Sequence, residues 1–169
     1  SKGIAYGEKI LQKINKKAGR FKSSSWSFYQ ALASLYTKSG KVDRAIALHL
    51  EQLTQLSSYP ESADPWHRVN TYNQLGSHYL SRQQASTAIA YLKKSESWLR
   101  HYLEAPTFTA NTSQDIETIT HTYALLSKCY VSTHDLQEAL TYAKLALRVA
   151  KQYYSANAFV LHPHYNRIG

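Results

Sequence analysis

The chain has little cysteine, little glycine and few acidic residues. Its 169 residues include one cysteine, Cys129, and six glycines. A single thiol excludes an intrachain disulfide framework, and no glycine-rich loop of the phosphate-binding kind is present. No apolar run approaches the roughly 20 residues that a membrane-spanning helix needs. Asp and Glu total 11 against 20 Lys and Arg, so the formal net charge is +9.

Hydrophobic and aromatic residues, in contrast, are plentiful. Hydrophobic residues make up 43% of the chain and aromatic residues 12%, with 14 tyrosines. This content is sufficient for a sizeable buried core and argues against wholesale disorder. The composition therefore indicates a basic, tyrosine-rich globular domain.

The excess positive charge lies at the beginning of the chain. Residues 1–22 contain seven basic side chains and one acid, Glu8. Such a cluster can meet phosphates, an acidic lipid surface or an acidic protein, or it can be the solvated face of a terminal helix, which we favour. The candidate basic patch consists of Lys9, Lys13, Lys16, Lys17, Arg20 and Lys22.

One motif of tyrosine, leucine and a small residue occurs three times. Nine residues after its last tyrosine, each copy is followed by an alanine and an aliphatic residue. The copies are Tyr29-x-x-Leu32-Ala33-x-x-Tyr36, Tyr72-x-x-Leu75-Gly76-x-x-Tyr79 and Tyr123-x-x-Leu126-Ser127-x-x-Tyr130, followed by Ala45-Ile46, Ala88-Ile89 and Ala139-Leu140. The fixed gap in all three copies indicates an internal repeat.

The spacing predicts a pair of helices in each repeat. Apolar or small residues at i, i+3, i+4 and i+7 mark one face of an amphipathic helix. The small residue lies where a partner helix must approach closely, and the later alanine belongs to that partner. Turn-prone residues separate the two blocks at 39–41, 82–84 and 133–135. We therefore predict an all-α fold of antiparallel helical hairpins.

These motifs resemble the tetratricopeptide repeat (TPR), which has an aromatic residue, Leu-Gly, Tyr and two later alanines. His49 and Gln52 depart from the family pattern. The resemblance implies a right-handed superhelix, or solenoid, of antiparallel TPR hairpins. The first tyrosines and the equivalent Tyr165 are 43, 51 and 42 residues apart. This spacing exceeds the common period of about 34 residues and is similar to a longer-period subclass, of about 42 residues, in kinesin light chains and bacterial regulatory proteins.

The repeat predicts a division of the chain into units. We expect a single TPR domain over 1–169 that is a fragment of a longer protein, with lengthening at both ends raising its melting temperature. The expected units are the second helix of a partial repeat at 2–18, repeat 1 at 26–58, repeat 2 at 65–103, a loop insertion at 104–115, repeat 3 at 116–154 and the start of a truncated repeat 4 at 162–169.

The resemblance also implies a concave groove lined by the first helix of each repeat. Asn73 and Asn166 occupy the same repeat position, where the family commonly uses asparagine to hold a peptide backbone; the alternative is that this asparagine supports helix packing. We expect Asn73→Ala to weaken ligand binding without unfolding the chain. The predicted groove residues are Gln30, Ser34, Lys38, Asn70, Asn73, Ser77, His121, Lys128 and Asn166.

The expected function is non-catalytic recognition of a peptide or protein segment in this groove, without a cofactor or metal. Cys129 lies beside core positions, which indicates a packing thiol rather than a nucleophile. The alternative is a ligand- or peptide-sensing regulatory domain of a larger bacterial signalling or transcription-regulating protein. Nucleic acid is disfavoured because the tyrosines and the excess charge fall in different segments. Self-association through open repeat ends stays open, and a cytoplasmic location is the default.

Overall fold

The structure is a computed structural model. The residues that it describes form helices joined by short turns. These residues are 2–16, 23–58, 65–103 and 113–165. Within them there are seven helices and no strand: α1 Lys2–Lys16, α2 Ser23–Lys38, α3 Val42–Ser58, α4 Pro65–Ser81, α5 Ala85–Leu103, α6 Ser113–Ser132 and α7 Leu136–Tyr165. Among these helices, none is both long and apolar enough to cross a membrane.

Helices that follow one another in the chain pack against one another. The closest packing is within the pairs α4–α5 and α6–α7, followed by α2–α3. Successive pairs are joined by contacts of α3 with α4 and of α5 with α6, and α4 also contacts α6. α1 packs against α2. The all-α prediction is therefore confirmed, whereas the right-handed superhelix stays a prediction.

The three hairpin turns have the same backbone geometry. Their middle residue has a positive φ of 71° at Gly40, 60° at Gln83 and 62° at His134. In each turn the next residue donates its backbone N–H, at 2.9 Å, to the carbonyl of the last tyrosine in the motif. This is the Schellman arrangement that ends a helix and redirects the chain. The turns predicted between the two blocks of each repeat are present.

The motif residues form the core. Each leucine side chain stabilises the fold by about 2 kcal/mol when it is fully removed from water. The alanines allow the paired helices to approach one another. The buried motif leucines and alanines are Leu32, Leu75, Leu126, Ala33, Ala45, Ala88 and Ala139.

The small position of the motif lies at a close helix contact. A Cβ atom added to Gly76 would lie 2.5 Å from Cγ and 2.7 Å from Cδ2 of Leu92 on α5. In the third repeat, the hydroxyl of Ser127 donates at 2.9 Å to the carbonyl of Ala139 on α7. The motif therefore has a small residue here because the second helix of the same hairpin occupies the space.

Three helix boundaries differ from the predicted units. α2 begins at Ser23, three residues before the predicted start of repeat 1. α6 begins at Ser113, so the last three residues of the predicted loop at 104–115 are helical. Asp115 lies in the first turn, where a carboxylate is stabilised by the helix dipole. α7 continues to Tyr165 as one helix through Pro163. The start of a fourth repeat at 162 therefore stays a prediction, and residues 166–169 lie outside the described part.

Candidate interaction surface

Polar side chains occupy equivalent repeat positions on the first helices α2, α4 and α6. Ser34, Ser77 and Lys128 occupy one equivalent position of the repeat; Ser34 and Lys128 are exposed and Ser77 is half-buried. Asn70 and His121 share a second position; Asn70 is half-buried and His121 is exposed. α4 packs against α6. Because these five polar side chains are at equivalent positions of the repeat, we expect them to face the same side. We call these side chains, together with the exposed Lys38, the first-helix face.

The first-helix face is weakly basic. Neither α2 nor α4 contains an Asp or Glu. Lys38 and Lys128 are its lysines. Desolvation lowers the pKa of His121, and the nearby Lys128 charge lowers it further. The imidazole is therefore neutral at pH 7, with one nitrogen that donates and one that accepts a hydrogen bond.

Asn73 does not belong to this exposed face. It is only 2% exposed. Its amide nitrogen donates to Oγ1 of Thr122 on α6 at 2.8 Å, and its amide oxygen accepts from the hydroxyl of Ser95 on α5 at 2.8 Å. A ligand backbone could bind Asn73 only by breaking these bonds. Of the two roles that the sequence left open, the geometry favours helix packing.

Gln30 takes part in the same kind of contact one repeat earlier. Its amide donates to Oε1 of Gln52 on α3 at 3.4 Å, and that oxygen also accepts from the hydroxyl of Thr71 on α4 at 3.2 Å. Gln30, Gln52 and Thr71 occupy the repeat positions of Asn73, Ser95 and Thr122. Each polar triad joins both helices of one repeat to the first helix of the next. We call them the first triad and the second triad.

Sequence reasoning missed these triads, although their signal is present. The residue after the first motif tyrosine is an amide in repeats 1 and 2, and a threonine precedes the tyrosines Tyr72 and Tyr123. Repeat 3 has alanine at the amide position, Ala124, and Ala146 at the second-helix position. Polar residues therefore occupy these positions only at the two junctions, between repeats 1 and 2 and between repeats 2 and 3.

Beside the first triad lies a stacked pair of buried histidines. The rings of His49 on α3 and His78 on α4 have centroids 5.4 Å apart. Burial lowers the pKa of His49 to about 4, against a smaller opposing effect of its contact with Gln52, and burial also lowers the pKa of His78. Within the described residues, no partner lies within hydrogen-bond distance of Nε2 of His78. Both rings are neutral near pH 7, which explains how two histidines can stack in the core.

The predicted basic patch is described only in part. Lys9 and Lys13 are exposed and lie one turn apart on α1. The predicted site residues whose side chains lie outside the described part are Lys16, Lys17, Arg20, Lys22 and Asn166.

Cys129 packs in the core of repeat 3. Its side chain is buried beside Leu126 and Tyr142, and burial raises the pKa of the thiol to about 11. A thiol with this pKa is protonated at neutral pH and is therefore a weak nucleophile. Among the described residues, no three His, Cys, Asp or Glu side chains are grouped so that they could hold a metal ion.

Comparison with known protein families identifies one repeat in the chain. Residues 29–62 match the tetratricopeptide repeat model. The match begins within α2 and includes all of α3, and it supports the TPR family inferred from the motifs. No curated protein and no solved structure matches the chain. A tetratricopeptide repeat suggests a protein-interaction module in general; the longer-period subclass stays a prediction.

Proposed function

We propose that this chain is a non-catalytic interaction module that binds an extended, acidic segment of a protein partner across the first-helix face. The observation that carries the proposal is the row of accessible polar side chains at equivalent positions of three successive first helices. Peptide recognition by a helical array needs such a repeating surface, because an extended ligand presents its groups at regular intervals.

The charge of the first-helix face favours an acidic ligand. Lys38 and Lys128 are exposed on α2 and α6, α2 and α4 carry no carboxylate, and the carboxylates of α6, Asp115 and Glu117, lie near its beginning. Ser34, Ser77 and Asn70 add hydroxyl and amide groups that can bond to a peptide backbone. Asn73 is left out of this surface because its amide is engaged in the second triad.

Selection from a random peptide library displayed on phage tests this proposal. We expect the selected peptides to be enriched in Asp and Glu. A fluorescein-labelled selected peptide should bind the double variant Lys38→Glu/Lys128→Glu about tenfold more weakly or worse, because attraction becomes repulsion. Added salt should weaken binding to the unmodified chain, since exposed charges are screened.

Lys144→Glu is the matched control. Lys144 is exposed on α7, a second helix, and its replacement reverses one charge, as each of the two substitutions in the double variant does, but away from the first-helix face. Fluorescence anisotropy should give a Kd within about twofold of the original for this variant. Peptides without an acidic excess, or equal losses in the Lys144 variant and the double variant, would contradict the proposal.

A further inference from the structure

A cavity of about 400 Å³ lies between α1 and α3, away from the residues that make up the first-helix face. It is flanked by Tyr36 of α2. Its walls are formed by Glu8, Leu11, Gln12, Tyr36, Arg44, Ala47, Leu48 and Glu51. α1 and α3 are neighbouring second helices in the repeat arrangement.

The same place is filled by a tyrosine in the third repeat. Tyr142 of α7 stacks on Tyr130, with ring centroids 5.6 Å apart and an angle of 2° between the planes. Its hydroxyl accepts a hydrogen bond from Lys93 and lies 3.2 Å from Oε2 of Glu96, both on the preceding second helix α5. Tyr142 thus bridges two neighbouring second helices.

Repeat 2 has the same tyrosine pair, and repeat 1 does not. Tyr91 stacks on Tyr79 with centroids 5.3 Å apart. The position of Tyr91 and Tyr142 is occupied in repeat 1 by Leu48. Leucine lacks the ring and hydroxyl needed to reach α1, so the space between α1 and α3 stays open. Within the described residues, no ring stacks on Tyr36.

The charged groups that line the cavity are two carboxylates and one guanidinium. Glu8 accepts a hydrogen bond of 2.6 Å from the hydroxyl of Tyr36, and Glu51 accepts one of 3.1 Å from the hydroxyl of Tyr29. A carboxylate can accept up to about four hydrogen bonds, so Glu8 can accept a further donor. Arg44 adds one positive charge, which leaves the cavity acidic in a chain whose net charge is +9.

We propose that this cavity binds an aromatic side chain that carries a hydrogen-bond donor, such as a tyrosine of a partner protein. The ring lies over Leu48 between α1 and α3, in the space equivalent to the one that Tyr142 fills between α5 and α7, and its donor bonds to the carboxylate of Glu8. The chain's own third repeat supplies the template for this ligand. The site goes beyond the first-helix face because it is built mainly from second helices.

Titration of the isotope-labelled chain with p-cresol, the side-chain analogue of tyrosine, tests the site. Fragments of this size bind with about millimolar Kd at best. We expect NMR shifts at the amides of Glu8, Ala47 and Leu48. 4-Methylanisole, which keeps the ring but loses the donor, should bind at least about fivefold more weakly, because the hydrogen bond to a carboxylate is lost.

Leu48→Tyr should abolish p-cresol binding, because the new ring fills the cavity as Tyr142 fills its counterpart. Leu50→Tyr adds the same side chain to α3 at a residue that does not line the cavity, and it should leave binding unchanged. Circular dichroism establishes that each variant is folded. The proposal is overturned if p-cresol does not bind, or if Leu48→Tyr leaves the shifts as they were.

Tyr142→Leu provides the converse test. This variant should open an equivalent cavity beside Lys93 and Glu96, and p-cresol should then shift amides of α5 and α7 as well. Should it fail to fold, the Leu48→Tyr result decides. The Lys38→Glu/Lys128→Glu variant should keep p-cresol binding intact, so failure of the first-helix proposal and failure of this one are separate outcomes.

Discussion

Repeats 1 and 2 share their architecture but differ in their side chains. α2–α3 and α4–α5 have the same turn geometry, the same buried motif leucine and the same close alanine. At equivalent positions, however, repeat 1 has His49 where repeat 2 has Leu92, and Leu48 where it has Tyr91. The same backbone arrangement is therefore packed with different side chains in the two repeats.

The differences are correlated across each junction. The first triad uses two long amides, Gln30 and Gln52, and the second uses the shorter Asn73 and Ser95. Both reach a threonine on the next first helix. A side chain from one repeat cannot simply be exchanged for its counterpart, because its partner has the matching length.

Gly76→Ala should be the most damaging change. It introduces the residue that repeat 1 has at Ala33, but the new Cβ would lie 2.5 Å from Cγ of the fully buried Leu92. Overpacking of this kind costs about 3 kcal/mol, which exceeds the gain of about 1 kcal/mol in helix propensity. Urea unfolding measures the loss of stability.

Gly3→Ala is the control for that prediction. The added Cβ would lie 3.9 Å from Cδ1 of Leu35, which is ordinary contact. Its effect should lie within about 0.5 kcal/mol of zero or be stabilising. Similar destabilisation by the two substitutions would show that close packing against Leu92 is not the reason for a glycine at 76.

Asn73→Ala should destabilise the chain more than Gln30→Ala does. Asn73 is buried and makes two hydrogen bonds of 2.8 Å, whereas Gln30 is half-buried and makes one of 3.4 Å. We expect a loss of about 1 to 2 kcal/mol for Asn73→Ala and of at most about 1 kcal/mol for Gln30→Ala. Such a loss would indicate a packing role for Asn73, whereas the sequence led us to expect that Asn73→Ala weakens ligand binding without unfolding the chain. Equal losses in urea unfolding would mean that the two triads are energetically equivalent.

The outcome at Asn73 shows what the sequence could and could not predict. Periodicity and turn residues predicted the helices and their pairing, because these depend on local patterns. The burial of Asn73 depends on where Ser95 and Thr122 are placed by α5 and α6. A motif position on a helix therefore indicates which way a side chain can point, but only the packed neighbours decide whether it reaches solvent.

The cavity beside Leu48 illustrates the same limit. The sequence shows that a tyrosine is absent from this position in repeat 1. Whether the space stays open depends on how closely α1 approaches α3, which no local pattern encodes. Ser34 and Lys128, by contrast, are exposed, and that they line a groove stays a prediction.

Acidification should destabilise repeat 1 through His49. Burial depresses its folded pKa to about 4, below the ordinary value of 6.5 expected in the unfolded chain. Between these values the unfolded state binds the proton and the folded state does not, so stability is complete above about pH 6.5 and falls as the pH approaches 4. The expected loss from about pH 7 to about pH 5 is about 2 kcal/mol, measured by urea unfolding at each pH.

His49→Gln tests this assignment, because glutamine keeps a polar group but does not titrate. The variant should lose most of the pH dependence between about pH 7 and about pH 5; His78, whose pKa shifts in the same direction, accounts for the remainder. Repeat 2 has Leu92 at this position, which cannot titrate. If the stability of the variant kept the same pH dependence, a group other than His49 would be responsible for it.

The smallest expected effect concerns the turns, where repeat 1 has Gly40 and repeat 2 has Gln83. Both lie at positive φ, which costs a residue with a Cβ about 1 kcal/mol and glycine very little. Gln83→Gly should therefore raise the melting temperature by about 2 to 4 °C, and Gly40→Gln should lower it by a similar amount. The double variant moves the glycine from one turn to the other and should melt near the original temperature. A large residual shift would mean that the side chain of Gln83 stabilises its turn, and the two turns would then be alike only in their backbone.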